Sequence, residues 1–278
     1  MEQVRQPAVA GMFYPGEKRE LQSTVESLLR DAEAEEAAAG PGGPGGPAPK
    51  AIVAPHAGYP FSGPLAARAY ARLEGLKGTV ERVVLLGPSH RVPFRGLALT
   101  GRAAYRTPLG DVPLDTEGMD RLRDLPGVQE LDSAHAREHS LEVHVPFLQE
   151  VLGDFKLLPV VCGGADAETV AAALDAVWGG PETLIVVSTD LTHFLDYDTA
   201  RHWDEKTARA VEHYDPEAIG DEQACGRVPL KGLLVAAERR GLSVDRIGLC
   251  SSGDTRGPRD QVVGYGAWAF TEREAGHA

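Results

Sequence analysis

Three histidines of this sequence share one kind of position, just beyond a short aliphatic run. The runs at residues 51–54, 82–86 and 183–188 are followed, in turn, by His56, His90 and His193. Loops beyond the carboxyl ends of neighbouring strands converge, so such residues can meet in space. Imidazole is the commonest transition-metal ligand in proteins and can also act as a general acid or base. The pattern favours a metal or acid/base pocket over the alternative of three separately packed histidines.

A carboxylate would complete a familiar type of metal site. Two histidines and one carboxylate on one face of an octahedron bind non-haem Fe(II) and leave positions open for substrate and dioxygen. Asp254 is the preferred candidate because its loop, residues 251–257, follows the apolar run at 244–250. The alternative is a plain turn, in which Ser, Gly and Asp occur for conformational reasons alone.

A second concentration of chemistry lies at residues 138–144, where a helix is predicted over 140–152. Spacings of three and four residues place Glu138, His139 and Glu142 on one helical face, while His144 points elsewhere. His139 and Glu142 are therefore candidates for lining the pocket. The alternative is that acidic groups in a first helical turn only complement the helix dipole.

The three cysteines are Cys162, Cys225 and Cys250, an odd number without a Cys-x-x-Cys pair. This spacing makes a disulfide framework or a structural zinc cluster improbable. Cys250 could be a soft ligand or a redox-signalling thiol, but its apolar neighbours favour a small buried side chain.

The elements that must position these residues alternate along the chain. Strands are predicted at 51–54, 82–86, 96–99, 156–161, 183–188, 244–250 and 261–270. Helices are predicted at 17–38, 65–73, 140–152, 167–177, 199–214 and 229–240. This order indicates one α/β domain over residues 1–278, with a mixed, mostly parallel sheet flanked by helices. We expect residues 39–49 to form a Gly/Pro-rich surface loop and 103–114 to form a hairpin at one edge of the sheet.

Composition narrows the function. The 278 residues include 28 Lys and Arg against 41 Asp and Glu, a net charge of −13, which disfavours binding to nucleic acid or to an anionic membrane surface. No stretch has the length and apolarity of a signal peptide or a membrane span, so we expect a cytoplasmic protein. No Walker A, G-x-G-x-x-G or G-x-S-x-G motif follows a predicted strand, which argues against nucleotide binding and serine hydrolysis.

Six blocks of sequence, in this order, resemble the Memo family, whose prokaryotic members are called protein B of the AmmeMemoRadiSam system. They are RQPAVAGMFYP from Arg5, APHAGYPFSG from Ala54, LLGPSH from Leu85, EHSLEVHVPFL from Glu138, STDLTHF from Ser188 and ACGRVP from Ala224. The resemblance runs from about Arg5 to Phe270 and implies a fold similar to that of class III extradiol dioxygenases.

The resemblance also implies roles for particular residues. His56 and His90 match the two metal-ligating histidines of the family, and His193 matches the acid/base histidine of the dioxygenases. Thr255 occupies the place of the pocket cysteine of animal members, so we expect the neighbouring Asp254 to be the third metal ligand. Asp190 and His139 join His193 as catalytic candidates.

The leading hypothesis is therefore a metal-dependent oxidoreductase that uses Fe(II), with copper or zinc as alternatives. We expect a small-molecule or peptide ligand, and the resemblance implies radical-SAM and AMMECR-type partner proteins. The rival hypothesis is a binding module without turnover that recognises a carboxylate, a phosphate or a peptide through the histidines and Arg256.

Overall fold

Strands and helices alternate along the residues that the computed structural model describes, 3–39 and 46–272. The strands are β1 (Val4–Arg5), β2 (Ala51–Ala54), β3 (Arg82–Pro88), β4 (Leu97–Leu99), β5 (Ala104–Thr107), β6 (Gly110–Pro113), β7 (Val128–Glu130), β8 (Lys156–Cys162), β9 (Thr183–Ser188), β10 (His193–Leu195), β11 (Ser243–Ser251) and β12 (Val262–Thr271). The helices are α1 (Lys18–Ala39), α2 (Tyr59–Ala71), α3 (Thr116–Arg123), α4 (Asp132–Ala136), α5 (Val145–Leu152), α6 (Ala167–Val177), α7 (Tyr197–Glu212) and α8 (Arg227–Arg239). Short 3-10 helices occur at Glu142–His144, Pro216–Ala218 and Ser252–Asp254.

Most strands belong to one mixed sheet. Its order is β10-β12-β2-β9-β3-β8-β4-β7, and β11 also pairs with β12. The centre is parallel, since β2 pairs with β9, β9 with β3, and β3 with β8. Antiparallel pairs flank this centre, namely β2 with β12 on one side and β8 with β4 on the other. The predicted α/β fold with a mixed central sheet is confirmed.

Helices cover both faces of the sheet. Every residue of β2 and β9 is buried, which requires cover on both sides because alternate side chains point to opposite faces. Helix α2 packs on β2, β11 and β12, and α1 and α5 pack in turn on α2. Helix α8 packs on β3 and β9, and α6 packs on α8. Helix α7 packs against β11 and β12.

The loop after β2 turns directly into a helix. Helix α2 begins at Tyr59, six residues before the predicted start at Leu65, with Pro60 in its first turn. A proline is favoured there because the first helical N–H groups have no partner within the helix. The tight connection keeps His56 at the carboxyl edge of the sheet.

Two local expectations were wrong. Residues 138–141 are not helical: a 3-10 turn begins at Glu142 and leads into α5, so Glu138 and Glu142 do not share a helical face. The hairpin of β5 and β6 forms as predicted, but it pairs with β1 in a separate three-stranded sheet and does not extend the edge of the main one. In that sheet β5 pairs in parallel with β1, with Val4 opposite Ala104 and Arg5 opposite Tyr105.

The Gly/Pro-rich loop expected at 39–49 falls largely outside the described residues. Ala39 is the last residue of α1, and residues 46–49 contain neither helix nor strand. Within the described ranges, none of the helices combines the length and apolarity needed to cross a bilayer.

Candidate metal centre

Three histidine rings meet beyond the carboxyl ends of β2 and β3. His56 follows β2, His90 follows β3, and His139 lies in the segment between α4 and the 3-10 turn. One ligand atom from each ring lies within 4.8 Å of those from the other two, and the ring centroids are 4.6 to 5.5 Å apart. Among the described residues, no other group of His, Cys, Asp and Glu gathers as closely. We call these three residues the histidine cluster.

Glu138 holds His90 in place. Its Oε1 accepts a hydrogen bond from His90 Nδ1 at 2.8 Å, and its Oε2 accepts one from the His90 backbone N–H at 2.6 Å. Burial alone would raise the pKa of Glu138, but these hydrogen bonds from His90 lower it to about 2. A carboxylate only accepts hydrogen bonds, so Nδ1 of His90 carries the proton and Nε2 keeps its lone pair.

Two serines fix the second ring. The Ser188 hydroxyl donates to the Ser140 carbonyl at 2.6 Å and therefore accepts from Nδ1 of His56, also at 2.6 Å. The lone pair of His56 is thus on Nε2, which lies 3.4 Å from Cys225 Sγ and 3.9 Å from Asp190 Oδ2. Burial holds the pKa of His56 well below its usual value, so the ring is neutral near pH 7.

The third ring has a buried nitrogen that makes no hydrogen bond. This nitrogen, Nδ1 of His139, lies 3.4 Å from Glu138 Oε1 but has no hydrogen-bond partner among the described residues. Phe13, from the N-terminal segment, packs against the ring with centroids 4.8 Å apart. Burial, followed by the nearby His90, lowers the pKa of His139 to about 4.

These features fit a transition-metal ion. The rings of His56 and His139 are kept neutral, the lone pairs of His56 and His90 are on Nε2, and a buried nitrogen of His139 makes no hydrogen bond. A nitrogen donor set of this kind suits iron, copper or zinc far better than the oxygen-preferring Mg²⁺ or Ca²⁺.

Asp190 and His193 lie beside the cluster. Asp190 Oδ1 accepts a hydrogen bond from the His56 backbone N–H at 2.8 Å, and burial raises the pKa of this carboxyl group to about 6. Nδ1 of His193 donates to the Leu191 carbonyl at 2.9 Å, which leaves Nε2 as an acceptor. His193 interacts electrostatically with both His56 and Asp190, which places its ring near both. Phe194, next in the chain, has φ of 60°, a strained value for a bulky residue.

Asp254 is not gathered into the cluster. Its Oδ2 accepts hydrogen bonds from the Ser251 backbone N–H at 2.8 Å and from the Ser251 hydroxyl at 3.0 Å, and its Oδ1 accepts one from the Tyr197 hydroxyl at 2.5 Å. This reciprocal arrangement caps a short 3-10 helix. The Thr255 hydroxyl donates to the Ser252 carbonyl at 3.2 Å. In the structure, His139 lies beside His56 and His90, at the position where Asp254 was expected.

Sequence reasoning missed Glu138 and Cys225 as members of the site. Glu138 was noted only for its helical spacing, although its position next to His139 was a usable signal. Cys225 was interpreted as a small buried hydrophobe, and nothing in its local sequence shows that Sγ reaches His56. For Cys250, burial raises the pKa of the thiol to about 12, which disfavours the redox-signalling alternative.

Comparison with known proteins assigns the chain to a family. A sequence model of the Memo-like protein family matches residues 5–269, a span that includes all three cluster histidines. A MEMO1 family protein of Methanopyrus kandleri is 38% identical, with 96% of this chain and 98% of the relative covered. Another, from Aquifex aeolicus, is 35% identical, with 94% and 97% covered.

A solved structure shares the fold. An uncharacterized protein from Escherichia coli K12 superposes with a TM-score of 0.51 at 14% sequence identity, covering 77% of this chain and 98% of its own. At that identity the likeness concerns the fold alone. The family match over nearly the whole chain and the identity to these relatives show that the chain belongs to the Memo family.

Proposed function

We propose that the histidine cluster holds a divalent transition metal, with Fe(II) as the functional ion, and that the protein is a metal-dependent oxidoreductase. The supporting observation is the convergence of His56, His90 and His139, whose ligand atoms all lie within 4.8 Å of one another. The buried Nδ1 of His139, which makes no hydrogen bond, and the fixed Nδ1–H forms of the other two rings support the same proposal.

Each neighbouring residue then has a definite task. Bound Fe(II) would supply Lewis acidity and one-electron redox chemistry. Glu138 and Ser188 orient the rings of His90 and His56 and keep Nδ1 protonated. His193 has a free Nε2 that can accept a proton from a substrate hydroxyl or amine. Phe13 shields one face of the cluster from water.

The test is metal content after anaerobic reconstitution of the full chain with Fe(II), measured by mass spectrometry of the metal. We expect one equivalent in the wild-type protein and at least a tenfold loss of affinity in His56→Ala, His90→Ala and His139→Ala. His213→Ala is the matched control, because His213 is exposed and directly follows the last residue of α7. Equal binding by all four variants would overturn the proposal.

Two further arms refine it. Asp254→Asn should bind Fe(II) like the wild type if His139 is the third ligand, whereas a loss equal to that of His139→Ala would return Asp254 to the site. Parallel reconstitution with Zn²⁺ and copper decides the metal, because all-imidazole donor sets accept each of these ions.

A binding module without turnover is the second candidate, and one observation favours it. A groove of about 520 Å³ next to the cluster is lined by Phe13, Tyr59 and the guanidinium-bearing Arg256, and Met12 beside it is 71% exposed. An anionic ligand with an apolar body would suit these walls. Here His193→Asn should leave both ligand binding and cellular function intact, whereas an enzyme should keep binding and lose function.

The partner proteins remain predictions from the family resemblance, and the compartment remains a prediction from the sequence. We propose a cytoplasmic protein that acts with radical-SAM and AMMECR-type proteins. Co-purification of these proteins with the tagged full chain would support this assignment.

A further inference from the structure

A second cavity borders α7, the helix that follows the segment carrying His193. It has a volume of about 650 Å³ and is walled by α7, by β11 and by the loop that contains Asp254. No histidine of the cluster lines it. The cavity therefore forms a site separate from the histidine cluster.

Three of the charged groups on its wall, Arg246, Glu205 and Asp254, already have partners within the protein. Arg246 forms ion pairs with Glu205, at 2.8 Å, and with Glu212. Asp254 is held by Tyr197 and Ser251, as described above. These groups shape the cavity but have little left to offer a ligand.

Asp204 is different, because one of its oxygens has no partner. The residue is only 4% exposed. Its Oδ1 accepts hydrogen bonds from the Thr192 backbone N–H at 3.1 Å and from the Thr192 hydroxyl at 2.8 Å. Its Oδ2 accepts none from the described residues. A side chain at Gly264 would place Cβ 2.0 Å from Oδ2, so the glycine makes room for this oxygen.

A carboxylate oxygen that borders a cavity and has no donor among the described residues can pair with a cationic group that enters the cavity. The cavity wall also supplies a cation without an anion. Arg201 lies one helical turn before Asp204, on the same face of α7. No carboxylate of the described residues lies within ion-pair distance of it, and its guanidinium sits 5.7 Å from the centroid of the Tyr197 ring. One unpaired anion and one unpaired cation thus border the same cavity.

We infer that this cavity is a binding site for an α-amino acid. The ammonium group donates to Asp204 Oδ2, the carboxylate accepts from Arg201, and the side chain rests on Leu249 and Cys250. An α-amino acid carries its two charges on adjacent carbons, which suits an anion and a cation one helical turn apart. A ligand with a single charge would leave one of the two protein groups unpaired.

The site is linked to His193, which lies beside the cluster, through the chain itself. The residue held by Asp204 is Thr192, and His193 follows directly. An ammonium group bound at Oδ2 favours the ionised carboxylate and holds the Asp204 side chain in place, and so steadies Thr192 and the segment that carries the acid/base candidate.

The test uses the full-length protein and the common L-amino acids, screened one at a time at millimolar concentration by saturation-transfer NMR. At least one should bind, and for the tightest binder the corresponding amine and the corresponding carboxylic acid should each bind at least tenfold more weakly. Asp204→Asn and Arg201→Gln should each lower the affinity for that amino acid by at least tenfold.

Controls separate this site from the cluster and from misfolding. Asn at position 204 still accepts from Thr192 through Oδ1, so Asp204→Asn should keep the wild-type circular dichroism spectrum. Lys206→Gln, on an exposed part of α7, and His56→Ala should bind the amino acid normally. The inference is overturned if no amino acid binds, if the amine alone binds equally well, or if binding ignores both substitutions.

Discussion

His135 and His90 are both held by a nearby oxygen, yet their second ring nitrogens have different fates. In His135 the Tyr105 hydroxyl contacts Nδ1 at 2.6 Å and the Ala98 carbonyl accepts from Nε2 at 2.9 Å. In His90 only Nδ1 is engaged, by Glu138. A histidine with both nitrogens used is a structural crosslink, whereas one with a free Nε2 can bind a ligand.

The site could be predicted from the sequence only in part. The strand-end positions of His56 and His90 are visible in sequence because the aliphatic runs before them are. The third ligand candidate and the orienting partners are not, since they come from distant parts of the chain: Ser188 is 132 residues from His56, and Glu138 is 48 residues from His90. Only the folded backbone brings these groups together.

The role of Glu138 leads to a prediction about metal affinity. Glu138→Gln preserves the shape of the side chain but replaces a charged acceptor of the His90 Nδ1–H with a neutral one. We expect Fe(II) affinity to fall about 10–100-fold, as is typical when a partner of a ligating histidine is removed. Competition with a chelator of known affinity measures the change. Glu130→Gln, at an exposed glutamate paired with Arg123, is the control, and an affinity equal to that of the wild type would refute the assigned role.

Among the elements, the N-terminal segment depends on a single carboxylate. Glu142, fully buried, forms an ion pair with Arg5 and accepts hydrogen bonds from the backbone N–H groups of Ala8 at 2.7 Å and Val9 at 3.0 Å and from the Tyr14 hydroxyl at 2.6 Å. The segment so fixed carries Phe13 onto His139. Glu142 was expected to line the pocket; instead it anchors the wall that covers it.

Breaking this anchor should be costly. Glu142→Gln leaves the buried guanidinium of Arg5 without a counter-charge, which should lower the free energy of unfolding by about 3–5 kcal/mol. Urea titration measures the change, and hydrogen exchange should show faster exchange at Ala8 and Val9. Arg121→Gln, which breaks an exposed ion pair with Glu117 within α3, should change stability by less than about 1 kcal/mol. Equal effects of the two substitutions would count against the anchor.

Elements were predictable where their signal is local. The strand at 183–188 and the helix at 167–177 agree residue for residue with β9 and α6, because a continuous aliphatic run and an amphipathic repeat define them. The short elements β7, α4 and β10 were missed. They span three to five residues and form because neighbours pair or pack with them, as β10 does with β12.

For the whole molecule, buried histidines should set the response to acid. Burial lowers the pKa of His135 to about 4 and that of His144 to about 3, against about 6.5 in an unfolded chain. Between those values the unfolded state binds protons that the folded state does not, so stability falls as the pH falls. Each of these two histidines lowers the free energy of unfolding by up to about 2 kcal/mol at pH 5.

Two buried carboxyl groups act in the opposite sense. Burial raises the pKa of Asp190 and Asp204 to about 6, so the folded state gains stability from them as the pH falls from 6 towards 4, by about 1.4 kcal/mol each at pH 5. The histidines outweigh them, since His56 and His139 of the cluster add to the loss. We therefore expect the metal-free protein to be less stable at pH 5 than at pH 7.

Urea unfolding at the two pH values checks this expectation. His135→Gln should lower stability at pH 7 but reduce the further loss at pH 5 by about 2 kcal/mol. His213→Gln, at an exposed position, should leave the loss unchanged. If the wild-type protein were equally stable at both pH values, the assignment of neutral buried histidines would be wrong.

The hydrogen bonds that Glu142 accepts from the N-terminal segment affect the order in which the site can form during synthesis. Tyr14 and its acceptor are 128 residues apart, so the opening segment emerges from the ribosome long before its partner exists. His139 gains its cover from Phe13 only when that partner arrives, and the site is complete only once Cys225 has also been synthesised. Metal loading would thus follow synthesis of most of the chain, and a nascent protein shorter than this would offer incoming ions single imidazoles without a formed pocket.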